Sequence, residues 1–417
     1  MAQRLQIEPL PDASRDLISY LPGEVKNKIL ECLPTRDAAR TALLSTHWND
    51  VWLQHGQLAF DWNFFGCFGN YKGHGPVSYF KVITYILLKR VRPVKKFSLA
   101  ITALRFNSPK LEQSDLDQWF LSLSRNGVEE VYLSHGEGRY KLPLCIVSCR
   151  TIKQLGLCDV SFDFPLNAPC IFPSVTSLDF RSVVFNHNAN GIVYSIPNLE
   201  KLVLFYCGGI NNFKISAPKL ESLSITGDKC VVESRWFALH LKAIKVLCME
   251  GRLLLNWEDV EVASFPTAIN LQVIELHSFK FADEKQLMGI LQLLQKSPNL
   301  CELAITGTCS DDDIEAASTL LKDLESCIIN QDLKMLKTIK IDLFCGSTIE
   351  MFFVKMLLSK SPILERVVIT ESYFIKDGCT VIKFRRELLC FPRASPKAQI
   401  VIIKGKDYAQ GLDGLTI

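Results

Sequence analysis

Apolar positions recur along the chain in one short pattern, apolar-x-x-apolar-x-apolar, in eleven places. It reads V-K-K-F-S-L from Val94, V-E-E-V-Y-L from Val128, I-K-Q-L-G-L from Ile152, V-T-S-L-D-F from Val175 and L-E-K-L-V-L from Leu199. It continues as L-E-S-L-S-I from Leu220, I-K-V-L-C-M from Ile244, L-Q-V-I-E-L from Leu271, L-C-E-L-A-I from Leu300, L-K-T-I-K-I from Leu336 and L-E-R-V-V-I from Leu364. In each copy the last two apolar residues share one face of a short strand, and the residue between them points the other way. Several copies follow a proline and a turn-forming residue, as at Ile196-Pro197-Asn198, Ala217-Pro218-Lys219, Ser297-Pro298-Asn299 and Ser361-Pro362, which ends one segment and starts the next strand. Between the later copies the period changes to that of a helix, with Leu287, Ile290, Leu291 and Leu294 spaced i, i+3, i+4, i+7 across Glu284 to Gln295.

The copies start 21 to 36 residues apart, 27 on average, which is the leucine-rich-repeat range with a few longer insertions. One copy alone means little, because ordinary helices contain it too; eleven at this spacing predict strand-plus-return units stacked into a curved solenoid. The side chains expected on the strands opposite to the core are Tyr132 with Ser134, Asp179 with Arg181, Val203 with Phe205, Glu275 with His277, and Lys340 with Asp342. Both charges and two aromatics occur among them, which suits a protein partner better than a uniform polyanion. Tyr132, Asp179, Arg181, Phe205, Glu275, His277, Lys340 and Asp342 are therefore the candidate substrate-binding residues of the concave face.

Ahead of the repeats, residues 16–52 form a short helical module. Val25, Ile29 and Leu33 fall at i, i+4, i+8 and predict a helix that stops at Pro34. Asp37 is placed to cap the next helix, with Ala39, Ala42 and Leu43 facing inward, while Trp48 and Trp52 share a face. A module this small seldom buries enough apolar area to stand alone, so part of its apolar surface is expected to belong to a partner or to the first repeat.

The string L-P-x-E-V-x-x-x-I-L-E-C-L-P-T-R-D-A-A-R-T-x-L-L-S-x-x-W-x-x-x-W from Leu21 to Trp52 resembles the F-box. The resemblance implies docking onto a Skp1-like adaptor and, through it, onto the cullin and RING subunits of a ubiquitin ligase. Carried over position by position, the resemblance implies that the adaptor-binding or F-box-supporting set is Leu21, Pro22, Val25, Ile29, Leu30, Leu33, Pro34, Leu43, Leu44, Ser45 and Trp48. Gly23 stands where many relatives have an acidic residue, and Thr46-His47 where they have a basic pair. Glycine there weakens the helix start by about 0.5–1 kcal/mol relative to alanine, and the missing basic pair removes rim electrostatics.

Near the other end, Leu388-Leu-Cys-Phe391-Pro392-Arg393-Ala394-Ser395-Pro396 resembles the end of the FBD segment that follows F-box and repeat regions in plant proteins. It precedes an apolar strand from Ile400 to Ile403, and a cap over the last open repeat is the role expected of it. Arg385, Arg386 and Arg393 read as a solvated face. The whole chain is thus expected to be α/β: a short three-helix F-box, a solenoid with a curved parallel sheet and outer helices or loops, and an FBD cap. The expected boundaries are a tail over 1–15, the F-box over 16–56, a linker or N-terminal cap over 57–90, the solenoid over 91–345 and the FBD-like segment over 346–417.

Composition narrows the function classes. Among 417 residues, 48% are hydrophobic and 22% charged, values of a globular chain. The formal charge is only +3 with no block of five or more like charges, so nucleic acid is not expected as a partner. No signal peptide or membrane span is legible, and the 15 cysteines are scattered without a C-x-x-C pair; the reading is a reduced compartment, nucleus or cytoplasm.

No nucleophile motif or phosphate loop occurs; the glycine-rich stretch Gly66–Gly75 reads as a linker. The seven histidines never fall at zinc spacing with one another or with a cysteine, and Asp311-Asp312-Asp313 behind Ser310 reads as a helix start. No cofactor, metal or catalytic residue is therefore expected, and the chain reads as a non-catalytic adaptor holding an unidentified target protein. Two other functions share the architecture: a ligand-dependent hormone co-receptor of the same ligase class, and a repeat scaffold that works without the adaptor.

Overall fold

A computed structural model describes residues 17–65, 78–100, 111–134, 140–187, 191–228, 230, 232, 240–257, 267–308, 331–373, 375 and 378–405. The glycine-rich stretch Gly66–Gly75, His135 and the Ser310–Asp313 helix start lie outside these residues. The chain divides into two compact units, Met1–Gln154 and Leu155–Ile417.

In the first unit three helices come first, α1 (Gly23–Glu31), α2 (Thr35–Thr41) and α3 (Thr46–Gln54). Strand β1 (Gln57–Phe60) follows at once and pairs in parallel with β2 (Lys96–Ala100), which pairs in parallel with β3 (Glu130–Ser134). Helices α4 (Trp62–Phe65), α5 (Ser78–Leu88), α6 (Gln113–Arg125) and α7 (Leu144–Val147) and the short strand β4 (Tyr140–Lys141) lie between and after these strands. The region expected as a linker or N-terminal cap therefore opens with a strand of the sheet. Its sequence hides this because Leu58 and Phe60 are buried alternately without the leading apolar residue of the other copies.

In the second unit ten parallel strands run in the order β5 (Gln154–Cys158), β7 (Ser177–Arg181), β10 (Lys201–Phe205), β12 (Ser222–Thr226), β13 (Val246–Glu250), β14 (Val273–Phe279), β15 (Glu302–Gly307), β16 (Thr338–Phe344), β17 (Arg366–Glu371) and β18 (Gln399–Ile403). Short strands β6 (Val160–Phe162) and β8 (Val184–Phe185) form one further ladder, and β9 (Tyr194–Ser195) and β11 (Ile215–Ser216) another.

Every one of the eleven sequence copies is a strand of these sheets, and all three apolar positions of each are buried. The reason is registration: Leu178, Leu202 and Leu223 are direct neighbours on successive strands, as are Phe180, Leu204 and Ile225. Each apolar position thus stacks on its own equivalent. At about 1.5–3 kcal/mol for burying one large aliphatic side chain, these ladders supply a main part of the driving force for folding.

Backbone bonds set that register. In most copies the carbonyl of the residue after the leading apolar position accepts N–H bonds from two successive residues of the next repeat. Glu221 O takes Lys245 N and Val246 N, Lys245 O takes Gln272 N and Val273 N, Gln272 O takes Cys301 N and Glu302 N, and Lys337 O takes Glu365 N and Arg366 N. The turn asparagines tie neighbouring returns together, Asn270 Nδ2 donating to Lys242 O and Asn299 Nδ2 to Ile269 O.

The expected helix Glu284–Gln295 is present with the expected bounds, capped by Asp283, whose carboxylate accepts from Lys285 N and Gln286 N. The helix Thr348–Lys360 opens with a capping box between Ser347 and Glu350. In the FBD-like string, Ser395 Oγ donates to Leu364 O at 2.6 Å and Ala394 N to Leu358 O at 3.0 Å. The arginines expected on a solvated face do meet solvent, Arg386 and Arg393 exposed and Arg385 partly so; within that face Arg385 Nε pairs with the buried Glu371 Oε1 at 2.5 Å, and Arg393 Nη1 donates to Ala398 O at 2.7 Å. A basic side chain on the edge of a last repeat can reach carbonyls and carboxylates that sequence spacing leaves unspecified. Ten described cysteines are free thiols, whereas Cys345 is disulfide-bonded.

Two predictions follow from these ladders. Strands β7, β10 and β12 are each left through a residue of positive φ, Ser182 at 51°, Tyr206 at 52° and Gly227 at 98°. A Cβ on Gly227 would lie 2.7 Å from both the Tyr206 nitrogen and its ring. An unstrained glycine-to-alanine change stabilises by about 0.4–1 kcal/mol, but at this positive φ and close approach Gly227→Ala is expected to destabilise by more than about 1 kcal/mol, read as a lower urea midpoint; an unchanged midpoint would contradict the close approach.

In the first unit Glu129 bridges Lys153 and Lys95, each at 2.6 Å. Hydrogen bonds from Lys153 and then Lys95 hold its carboxyl down at about 2, against an ordinary 4.5. A depressed folded value means that its contribution is complete above pH 4.5 and fades as pH falls toward 2. The melting-temperature difference between wild type and Glu129→Gln, small because the pair is solvated, should be present at pH 6 and shrink over that window.

Candidate functional site

The helical module is built on two Leu-Pro pairs. Pro22 and Pro34 occupy the positions just before α1 and α2, and their carbonyls accept the first helical bonds, from Val25 N and Lys26 N and from Ala38 N. Proline suits a helix entrance because its fixed φ and missing N–H cost nothing there. Asp37 is therefore not the cap of α2; it lies in the first turn and pairs with Arg40 at 3.6 Å. Ser45 caps α3 by accepting from Trp48 N at 3.4 Å, and its hydroxyl lies 3.0 Å from that of Ser19.

Two members of the expected adaptor-binding set turn inward. Leu30 is fully buried and Trp48 is 2% exposed, which fits the supporting role within the module. Lys26 is buried beside them, its ammonium donating to Ser19 O and lying 5.7 Å from the Trp48 ring centroid. Sequence reading gave this lysine no role, because its carbonyl partner lies in the turn before α1 and carries no side-chain signal.

The inward placement of Leu43 is also corrected. Helix α2 ends at Thr41, and the turn that follows leaves Leu43 87% and Leu44 65% exposed. The helical stripe of Val25 and Ile29 is exposed on α1, with Leu17, Ile18 and Tyr20 exposed just ahead of it. Pro22 and Pro34 are exposed as well, and Leu21, Leu33 and Ser45 half-buried.

The module is fixed to the first strands of its own unit. Thr35 Oγ1 accepts from Ala59 N of β1 at 2.7 Å. Arg90 donates to Trp52 O at 2.5 Å and His55 O at 3.3 Å, with its guanidinium carbon 4.1 Å from the Trp52 ring centroid. Burial lowers the Arg90 pKa to about 10, so it stays charged at neutral pH.

On the repeats, Tyr132 lies on β3 in the first unit, beside Ser98 of β2. Ser134 is buried, not outward. The other candidates lie in the second unit in two rows across the strands. One row runs Asp179, Val203, Ser224, Cys248, Glu275, Ala304, Lys340 in unbroken register. Beside it, Arg181 neighbours Phe205, His277 neighbours Glu250, and Asp342 neighbours Thr306.

Much of the charge on this face is paired internally. Arg181 grips Asp179 through two bonds of 3.1 Å, and Lys340 Nζ meets Glu302 at 2.5 Å. Phe205 and Tyr206 are exposed side by side, ring centroids 4.6 Å apart and edge to face. Cys248, which carries no motif, is brought by the fold to 3.3 Å from His277 Nε2. Burial, the largest cause, pushes its thiol up to about 11.

Comparison with known proteins agrees with both parts. A family model for the At1g61320/AtMIF1 leucine-rich-repeat domain matches residues 88–383, and the F-box domain model matches residues 18–56. The chain is similar to the F-box/FBD/LRR-repeat protein At1g13570 of Arabidopsis thaliana, 29% identical over 427 residues, with 94% of this chain and 99% of that one covered. It is similar also to the F-box/LRR-repeat proteins At3g03360, 29% identical with 70% and 59% covered, and At3g26922, 24% identical with 72% and 94% covered, both of Arabidopsis thaliana. No helix among the described residues is long and apolar enough to cross a membrane.

Replacing Arg90 by alanine removes two charged hydrogen bonds and the stacking on Trp52. Bonds of that kind contribute about 1.5–3 kcal/mol each, so Arg90→Ala is expected to expose the junction after α3 to limited proteolysis while the second unit keeps its wild-type resistance. Unchanged cleavage would show that β1 and Thr35 suffice to hold the module.

Proposed function

Because the chain belongs to the At1g61320/AtMIF1 leucine-rich-repeat family and carries an F-box ahead of its repeats, we propose that it is the substrate-recognition subunit of a Skp1-cullin-F-box ubiquitin ligase. In this reading the F-box holds a Skp1-like adaptor, and through it the cullin and RING subunits, while the outward strand face holds a target protein. The work is positional: tethering target and conjugating enzyme on one assembly raises their effective concentration, and the transfer chemistry belongs to other subunits. Nucleus and cytoplasm are the compartments this role calls for.

The observation that carries the proposal is the exposed apolar set on the F-box, Val25, Ile29, Leu43 and Leu44 with Pro22. Leaving large aliphatic side chains in water gains the isolated fold nothing, whereas covering them with a partner recovers their transfer free energy. The buried Leu30, Lys26 and Trp48 hold the helices that present them.

The test is co-expression with a Skp1-like adaptor followed by size-exclusion chromatography. Wild type is expected to co-elute with the adaptor. Leu43→Asp/Leu44→Asp is expected to weaken the complex by at least about a hundredfold, since two hot-spot positions are worth roughly 2 kcal/mol or more each. Separate elution of folded wild-type protein would overturn the reading and leave a repeat scaffold that works without the adaptor.

A further inference from the structure

We propose that Cys248, Glu275 and His277 form a binding site for a zinc-class divalent cation on the outward face of the second unit's sheet. The sequence offers no metal spacing, because the cysteine and the histidine are 29 residues apart and come from different repeats. The strand ladder removes that distance. Cys248 on β13 is the registered neighbour of Glu275 on β14, and His277 stands two residues further along on the same face as Glu275.

Their donor atoms converge. Cys248 Sγ and His277 Nε2 are 3.3 Å apart, His277 Nε2 and Glu275 Oε1 are 3.7 Å apart, and all three ligand atoms lie within 4.8 Å of one another. With metal bonds of about 2.3 Å to sulfur and about 2.0–2.1 Å to nitrogen and oxygen, a tetrahedral centre needs separations of about 3.6 Å and about 3.3 Å for these two pairs. Those two pairs already stand within a few tenths of an ångström of that arrangement, and the Cys248 and Glu275 donors lie within 4.8 Å of each other. Among the described residues this is the one group of three such donors that meets the distance.

Donor chemistry chooses the ion. One thiolate, one imidazole and one carboxylate form a borderline-soft set that suits zinc or cobalt and disfavours magnesium and calcium, which want oxygen alone. The surroundings leave room for it. The registered neighbours on either side are Ser224 and Ala304, both small. The side chains of His277 and Glu275 are 35% and 48% exposed, so a fourth position opens to solvent and takes a water or an exogenous donor. The nearby Glu250 is buried and accepts from Gly227 N at 3.2 Å, which directs it to the backbone. The ligands sit on hydrogen-bonded central strands, so little ordering remains to be done on binding. The proposal stands apart from the ligase reading, since it concerns this face alone.

The experiment is titration of the metal-free full-length chain with Co2+, followed by competition with Zn2+. One equivalent is expected to bind with a thiolate-to-cobalt charge-transfer band that Zn2+ bleaches. His277→Gln and Cys248→Ser are expected to weaken binding by at least the about 10–100-fold that even outer-shell changes produce, and to lose the band in the cysteine variant. Cys301→Ser, a thiol outside the cluster, is the control and should bind as wild type. Absence of cobalt binding to wild type, or undiminished binding and an unaltered band in both cluster variants, would overturn the proposal. Should Cys248→Ser fold poorly, His277→Gln alone decides, because its side chain is partly in solvent and its loss leaves the apolar ladders intact.

Discussion

The repeats depend on one backbone arrangement, a carbonyl at the start of most of them that takes two N–H groups from the next. A parallel strand that slips by one residue turns its whole apolar set to the other face. The shared carbonyl prevents that slip before the strand begins. Gly56 O with Lys95 and Lys96, and Lys95 O with Glu129 and Glu130, repeat in the first unit what Glu200 O does with Glu221 and Ser222 in the second. Because the contact is made by main chain, it tolerates any side chain there, and Lys, Glu, Gln and Thr all occupy the position.

That arrangement separates the residues that fold the protein from those left over for function. The apolar ladders and the backbone satisfy each other, so the outward residue of each strand carries little of the stability. What stands there is free to be aspartate, valine, serine, cysteine, glutamate, alanine or lysine along a single row. The F-box works by the opposite rule: Leu30, Ala38, Trp48 and Trp52 form its small interior, and Val25, Ile29, Leu43 and Leu44 remain outside because three short helices cannot enclose them.

How much of this was legible depends on the kind of signal each feature leaves. The eleven strands and the helix Glu284–Gln295 could be read because alternation and the 3.6-residue period are properties of consecutive residues. Strand β1 could not, since Leu58 and Phe60 lack the third apolar position. Periodicity also says which residues share a face without saying what covers it. Val25 and Ile29 make a true stripe that nothing in the described chain buries, whereas Leu43, assigned inward by helical spacing, follows a helix that has already ended at Thr41. Lys26, Arg90 and the meeting of Cys248 with His277 were out of reach for one reason: each contact joins residues whose separation along the chain is set by loop lengths and whose partner is backbone or a side chain of another repeat.

The exposed aromatics show how the fold can shape a surface without being disturbed by it. Tyr206 leaves β10 through a positive φ, a conformation that costs a bulky residue energy, and its amide is held by Thr226 O at 2.9 Å. Gly227, with no Cβ, lets the Tyr206 ring lie down on the next repeat, where Phe205 packs against it edge to face. The pair is thus exposed yet held by its own backbone before any partner arrives. A rigid aromatic surface loses little side-chain entropy on contact, which is why such residues dominate binding energy at protein interfaces. The flanking ion pair of Arg181 with Asp179 is already closed within the face, so a partner covering this region meets apolar rings beside a neutralised charge and need not supply a counter-ion.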